Sequence, residues 1–204
     1  MKKLIYLLIL IPFVSFAKFY SGVMTFTDNT TKEGYIEIPD DSENNTIKFR
    51  VEEKGNTEKF PLEQIKSFVI NNENGDKIKF VTTHLAYFKP FSKDNSFKVH
   101  KKLACVEVIK EGKINLYSAW FINTGPKYGS IIVDGNYFIN RGNDYSLVIY
   151  ENDGAVNAWK YFLSLVEKHF SEECPNLVKL VNKDDFKKNG FVRIVELYEQ
   201  NCGK

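Results

Sequence analysis

The chain has 204 residues, of which 43% are hydrophobic and 15% aromatic, with a formal net charge of +2 at pH 7. This length suffices for one domain with a substantial core, and the aromatic content argues against a disordered chain. Because the basic residues show no excess of the kind that nucleic-acid-binding proteins carry, we predict no nucleic-acid partner.

The amino terminus has the three parts of a cleavable secretory signal peptide, residues 1–17. A basic start and an apolar run over 4–13 precede Ser15 and Ala17, the small residues that signal peptidase requires. The apolar run is shorter than the roughly 20 residues that cross a bilayer as a helix. We therefore predict an exported protein that begins at Lys18, is uncharged overall and has no transmembrane segment after cleavage. An uncleaved anchor is the alternative.

Residues 18–151 alternate short apolar-rich runs with turn residues, which is typical of a mainly antiparallel sheet, either a sandwich or an open barrel. The strongest hairpin signal is Asp134-Gly135, which suits a type I′ turn. The Lys- and Phe-rich stretch 87–99 predicts a loop or an irregular edge. The predicted strands are 19–27, 34–38, 46–52, 57–60, 67–70, 77–80, 103–109, 113–121, 130–133, 136–139 and 145–150.

The last segment, 152–204, changes to helical periodicity. Asn152 or Asp153 is expected to cap the first helix. Its apolar stripe recurs at steps of three and four and comprises Trp159, Phe162, Val166 and Phe170. Such a stripe needs a surface to cover, so we expect this segment to pack on the β domain.

Two further helices are predicted in the tail. Pro175 suits the first turn of the second helix, because its missing N–H has no partner there in any case. Asp184 or Asp185 would open the third helix, whose first turns Gly190 weakens. The apolar positions are Leu177, Leu180 and Val181 in the second helix and Phe191, Ile194, Val195, Tyr198 and Cys202 in the third. The predicted fold class is α+β, a mainly antiparallel β domain followed by a small three-helix tail.

Three cysteines remain in the predicted mature chain. Cys174 begins the second predicted helix and Cys202 ends the third, so antiparallel helices would bring them within disulfide reach. An oxidising, exported setting favours such a bond. We predict a Cys174–Cys202 disulfide, with a bond to Cys105 or no bond as the alternatives. Cys105 lies in mid-strand and is interpreted as a small buried apolar residue.

Motifs that carry chemistry are missing from the sequence. It has no His-Glu-x-x-His, no phosphate loop and no Gly-x-Ser-x-Gly. His84, His100 and His169 form no close cluster with cysteines in the sequence. His84 and His100 could meet in space but lack a third ligand, and His169 is interpreted as a partly exposed or satisfied polar residue. Adjacent acids such as Asp40-Asp41 indicate solvated turns. We therefore predict no catalytic residue, no metal ligand and no cofactor.

Aromatic side chains offer one candidate binding surface. They could line a ligand cleft or a partner surface, although ordinary core residues would give the same pattern. The candidate residues are Tyr87, Phe88, Phe91, Trp120 and Tyr128.

Parts of the chain resemble an uncharacterised family of exported Bacteroidota proteins of flavobacterial type. In the tail the likeness covers Phe-Ser-Glu-Glu-Cys-Pro-Asn-Leu-Val at 170–178, with 161–162, 194–198 and 201–202. Near the start it covers 22–26, 34–36 and 61–68. The resemblance implies a periplasmic or outer-membrane-associated setting, supports the Cys174–Cys202 pairing and supplies no catalytic residue.

The leading functional hypothesis is a non-catalytic envelope protein that binds another protein, a glycan or a small ligand. A sheet edge or the segment 87–91 would provide the contact. A carrier of small molecules or lipids, with an apolar cavity, is the first alternative. A hydrolase without a recognisable motif is the second.

Overall fold

The computed structural model describes residues 18–89, 95–123, 132–151 and 157–202. The predicted leader, 1–17, lies outside these ranges. The described residues form ten strands, with a short 3-10 turn over Leu62–Gln64, and then four helices. The strands are β1 Phe19–Phe26, β2 Thr31–Glu37, β3 Thr46–Arg50, β4 Glu58–Pro61, β5 Ile65–Asn71, β6 Lys77–Phe88, β7 Phe97–Lys110, β8 Asn115–Asn123, β9 Ile132–Asn140 and β10 Tyr145–Tyr150. The helices are α1 Ala158–Phe170, α2 Pro175–Leu180, α3 Lys183–Asn189 and α4 Val192–Asn201.

The strands form one sheet in the order β10-β9-β8-β7-β6-β5-β1-β2-β3-β4. β10 also pairs in parallel with β6, from Tyr145 opposite His84 to Leu147 opposite Ala86, so strands β6 to β10 close into a five-stranded barrel. Strands β5 and β1 to β4 extend from the first half of β6 as an antiparallel sheet. The predicted α+β class with a mainly antiparallel β domain is confirmed.

The long strands β6 and β7 divide the apolar interior into two clusters. Successive side chains of a strand point to opposite faces, so Ala104 and Val106 join the cluster that fills the barrel and supports the helices, whereas Cys105 joins the other. That second cluster lies among β1 to β5 and includes Phe80 of β6. The two strands therefore hold the barrel and the open sheet together.

The predicted hairpin turn at Asp134-Gly135 is wrong. β9 runs through both residues, with Asp134 opposite Phe121 and Gly135 opposite Trp120 of β8. Pairing with this neighbouring strand overrides the local turn preference of the dipeptide. The predicted loop at 87–99 is also partly wrong, because its two ends continue β6 and β7, while 90–94 lie outside the described residues.

The first helix has the predicted apolar stripe but a different start. Phe162, Val166 and Phe170 are buried, and α1 begins after Asn157, whose side chain accepts a hydrogen bond from the Lys160 amide. The predicted caps at 152 and 153 lie outside the described residues.

The third predicted helix consists of two, α3 and α4. Gly190, with φ of 69°, ends α3, because glycine reaches this left-handed region without steric cost. Asn182 caps α3 by accepting from the amides of residues 184 and 185, so the proposed cap at Asp184 or Asp185 is wrong by two to three positions. In α2, Leu180 is 47% exposed and does not belong to the buried stripe.

The disulfide between Cys174 and Cys202 is present, with the two Cα atoms 5.7 Å apart. It ties the start of α2 to the end of α4, as predicted. Cys105 is free and buried. No helix within the described ranges is both long and apolar enough to cross a membrane.

Candidate functional site

The aromatic residues singled out in the sequence lie in different surroundings. Tyr87 packs against Phe138 with ring centroids 5.6 Å apart. The next residue, Phe88, points to the opposite face of β6 and packs edge-on against His169 at 5.3 Å. Both rings are partly buried and pack against the hydrophobic cluster that fills the barrel.

Trp120 belongs to the other cluster, where it packs against Phe80 at 6.0 Å. Its indole Nε1 donates to the carbonyl of Pro39 at 2.9 Å. Phe91 and Tyr128 lie outside the described residues. The described members of the aromatic set therefore do not share one surface.

The histidines and the free cysteine are also dispersed. His169 is buried, and burial lowers its pKa to about 3, whereas burial raises the pKa of the Cys105 thiol. Neither group therefore combines access to solvent with the protonation state that a base or a nucleophile needs near neutral pH. Across the described ranges, no three His, Cys, Asp or Glu side chains meet as possible metal ligands.

A polar cleft lies where β1 begins, β2 ends and β3 begins. Its main hollow has a volume of about 410 Å³ and is lined by Lys18, Tyr20, Glu37, Ile38, Pro39, Asp40 and Lys48. A second hollow of about 180 Å³ shares four of these residues and adds Asn44, Asn45 and Thr46. We refer to both together as the Glu37 cleft.

Strand alternation places Glu37 in this cleft. Ile36 points into the second hydrophobic cluster, so Glu37 must point to the other face of β2. The antiparallel register pairs Ile36 with Phe49, and one step further Glu37 meets Lys48. The Lys48 Nζ donates to Glu37 Oε1 at 2.9 Å.

The second carboxylate oxygen of Glu37, Oε2, is the most unusual feature of the cleft. The Glu37 side chain is only 10% exposed, and its buried Oε2 has no hydrogen-bond partner among the described residues. Buried polar atoms nearly always have a partner, since leaving one unpaired costs free energy. Glu37 Oε2 is therefore a buried acceptor at the wall of the cleft without a hydrogen-bond partner in the described part of the chain.

The charges that line the main hollow cancel. Glu37 and Asp40 supply two carboxylates, and Lys18 and Lys48 supply two ammonium groups; Lys18 also forms an ion pair with Glu73, and Lys48 with Glu37. The Tyr20 ring lies beside them, with Lys18 Nζ 5.3 Å from its centroid. Hydrogen-bond donors, acceptors and an aromatic ring thus surround a space lined by side chains of both charges in equal number, which suits a polar ligand rich in hydroxyl groups better than a lipid.

The segment that forms one wall of the cleft is anchored on the barrel. Ser42 donates its N–H to the Trp120 carbonyl and accepts from the Cys105 N–H, both at 2.8 Å. Asp41 Oδ2 accepts from the Ile122 amide at 2.9 Å. These bonds hold the chain after Pro39 against β7 and β8, so the cleft is built on fixed elements.

The cleft was missed in the sequence because its residues look ordinary there. Glu37 occupies a solvent-facing position of an alternating strand, and Asp40-Asp41 predicts a turn. The turn is present, but Asp40 lines the cleft while Asp41 bonds to β8. The burial of Glu37 depends on how the following segment crosses the sheet, and the sequence carries no separate signal for that path.

The chain was also compared with known proteins. No protein-family model, no curated protein and no solved structure matches it.

Proposed function

We propose that this chain is an exported, non-catalytic binding protein of the cell envelope, and that it holds a glycan in the Glu37 cleft. The unpartnered, buried Oε2 of Glu37 carries the proposal. The leader pattern of residues 1–17, the Cys174–Cys202 disulfide and the resemblance to exported Bacteroidota proteins support the envelope setting.

A neutral glycan matches the lining of the cleft. Sugar hydroxyls both donate and accept hydrogen bonds, so one hydroxyl can donate to Glu37 Oε2 while others accept from Lys18 or Lys48. The volume of about 410 Å³ is within the usual range of small-ligand sites. A lipid carrier would instead need an apolar lining, and this cleft exposes charged groups.

The cleft is tested by binding to an array of neutral and charged bacterial envelope glycans. We expect wild-type protein to bind neutral glycans, and Glu37→Gln to bind them about 10-fold or more weakly, because one charge-assisted hydrogen bond is lost. The matched control is Glu33→Gln, since Glu33 lies on β2 with its side chain exposed. Equal binding by wild type and Glu37→Gln would contradict the proposal, as would cleavage of the glycan.

The exported state is tested separately by mass spectrometry of protein recovered from the periplasm and culture medium of the native host. We expect a chain that begins at Lys18 and contains one free thiol, because Cys174 and Cys202 are bonded and Cys105 is not. A cytosolic chain that retains Met1 and has all three thiols reduced would contradict it.

A further inference from the structure

Strand β7 has a long edge with no neighbouring strand among the described residues. β6 pairs with it from Phe97 to Glu107. On the other side, β8 pairs with β7 only from Glu107 to Lys110. Among the described residues, the first half of β7 is therefore paired with a strand on one side only.

The backbone groups of this edge point away from β6 at alternate residues. The Lys89 amide donates to the Ser96 carbonyl at 3.0 Å. Because hydrogen-bonded and non-hydrogen-bonded pairs alternate along antiparallel strands, the backbone N–H and C=O of Lys98 point toward β6, and those of Phe97 and Val99 point away from it. Further along this side of β7, the Cys105 amide donates to the Ser42 carbonyl, so an extended segment already forms a main-chain hydrogen bond there. An extended chain can continue that pairing along the strand.

The side chains at this edge specify what can bind. Phe97 and Val99 are on the same face and are 36% and 38% exposed. Lys98, Lys101 and Lys102 are exposed as well. The Glu43 carboxylate lies 3.8 Å from both Lys102 Nζ and His100 Nδ1, and no carboxylate of the described residues forms an ion pair with Lys98 or Lys101. The edge combines outward backbone groups, two apolar side chains and a positive excess.

We propose that residues 97–101 of β7 bind an extended, acidic segment of a partner protein by strand addition. Main-chain hydrogen bonds supply affinity, Phe97 and Val99 receive alternate apolar side chains, and the lysines pair with acids of the segment. A second copy of this chain is a poor occupant, because pairing two such edges brings lysines opposite lysines. None of residues 97–101 lines the Glu37 cleft, so the proposed site consists of different residues.

The test uses two short synthetic peptides, one with alternating Glu and Val and one with alternating Lys and Val. Fluorescence anisotropy should show binding of the acidic peptide and at least 10-fold weaker binding of the basic one. In Val99→Pro the backbone N–H and C=O of Lys98 remain available to pair with β6. The substitution removes the backbone N–H of residue 99, which points toward the incoming strand, so it should abolish binding. The control Val99→Ala keeps that N–H and should bind within a few-fold of wild type.

Reversal of charge provides a second readout in case the proline variant fails to fold. The double variant Lys98→Glu, Lys101→Glu should lose the acidic peptide and gain the basic one. Equal binding of both peptides by wild type would overturn the proposal, as would unchanged preference in the charge-reversed variant. Dimerisation of the wild type through β7 would overturn it too, because the occupant would then be a second copy.

Discussion

Replacing Cys174 and Cys202 together with alanine is expected to lower the free energy of unfolding by about 3–4 kcal/mol. The disulfide spans a sequence separation of 28 residues, and closing a loop of this length restricts the unfolded chain by roughly that amount in the chain-entropy treatment. Both cysteines are buried in the cluster shared by the barrel and the helices. Denaturant unfolding of the double variant and wild type measures the difference.

Cys105→Ala is the matched control for this variant. Cys105 is buried and free, so its replacement should cost about 1 kcal/mol for lost packing and should leave the disulfide intact. A reductant should then destabilise wild type and Cys105→Ala equally and leave the double variant unchanged. If the double variant unfolds at the same denaturant concentration as wild type, the tail does not depend on this disulfide.

Lowering the pH from 7 to 4 is expected to remove roughly 3 kcal/mol of stability through His169. His169 Nε2 donates to the Val148 carbonyl at 2.7 Å. Its Nδ1 lies 3.3 Å from Arg141 Nη1, from which it accepts. The neutral ring is therefore satisfied at both nitrogens, and a proton on Nδ1 would face a guanidinium group.

The sign of this effect follows from the direction of the pKa shift. Burial, with a smaller contribution from Arg141, lowers the pKa of His169 from 6.5 to about 3, against the opposing effect of the Val148 hydrogen bond. Between these values the unfolded chain binds a proton that the folded protein does not. The stabilisation is complete above pH of about 6.5 and is lost progressively as the pH falls toward 3.

The control is His169→Gln, whose amide can donate to Val148 and accept from Arg141 without titrating in this range. Urea unfolding of both proteins at several pH values should show wild type losing stability more steeply on acidification. Parallel curves for the two proteins would show that His169 is not responsible.

Local patterns were enough to predict most of the elements. The alternation of residues 46–52 predicted β3, with Ile47, Phe49 and Val51 facing the core. Ile47 and Phe49 are buried, but Val51 lies beyond the end of β3 and is 58% exposed. The stripe that includes Phe162 and Phe170 predicted α1. These patterns succeed because burial of one face imposes its period directly on the residues of that element.

Long-range pairing could not be predicted in the same way. Closure of the barrel depends on the parallel contact of β10 with β6, and no short-range signal encodes it. Asp134-Gly135 has a strong turn preference, yet β8 pairs with both residues. Gly190 was recognised as a weak point of a helix, but whether it weakens the helix or ends it depends on the packing around it.

In the candidate site, too, residue types could be read from the sequence, but their positions relative to one another could not. Tyr87 and Trp120 were singled out by residue type, and the fold separates them into different clusters. In the sequence, Glu37 resembles any exposed strand residue. Its burial depends on the path of the chain after Pro39. A binding site of this kind arises from segments that meet only in the folded protein, so a single sequence cannot reveal it.

The most direct test of glycan binding in the Glu37 cleft is an NMR titration of isotope-labelled protein with the glycan that binds most tightly on the array. We predict that the Glu37 side-chain carboxyl signal shifts, together with the amides of Tyr20, Asn44 and Lys48 that line the cleft. Shifts confined to other surfaces, with the Glu37 carboxyl signal unchanged at saturation, would contradict the account.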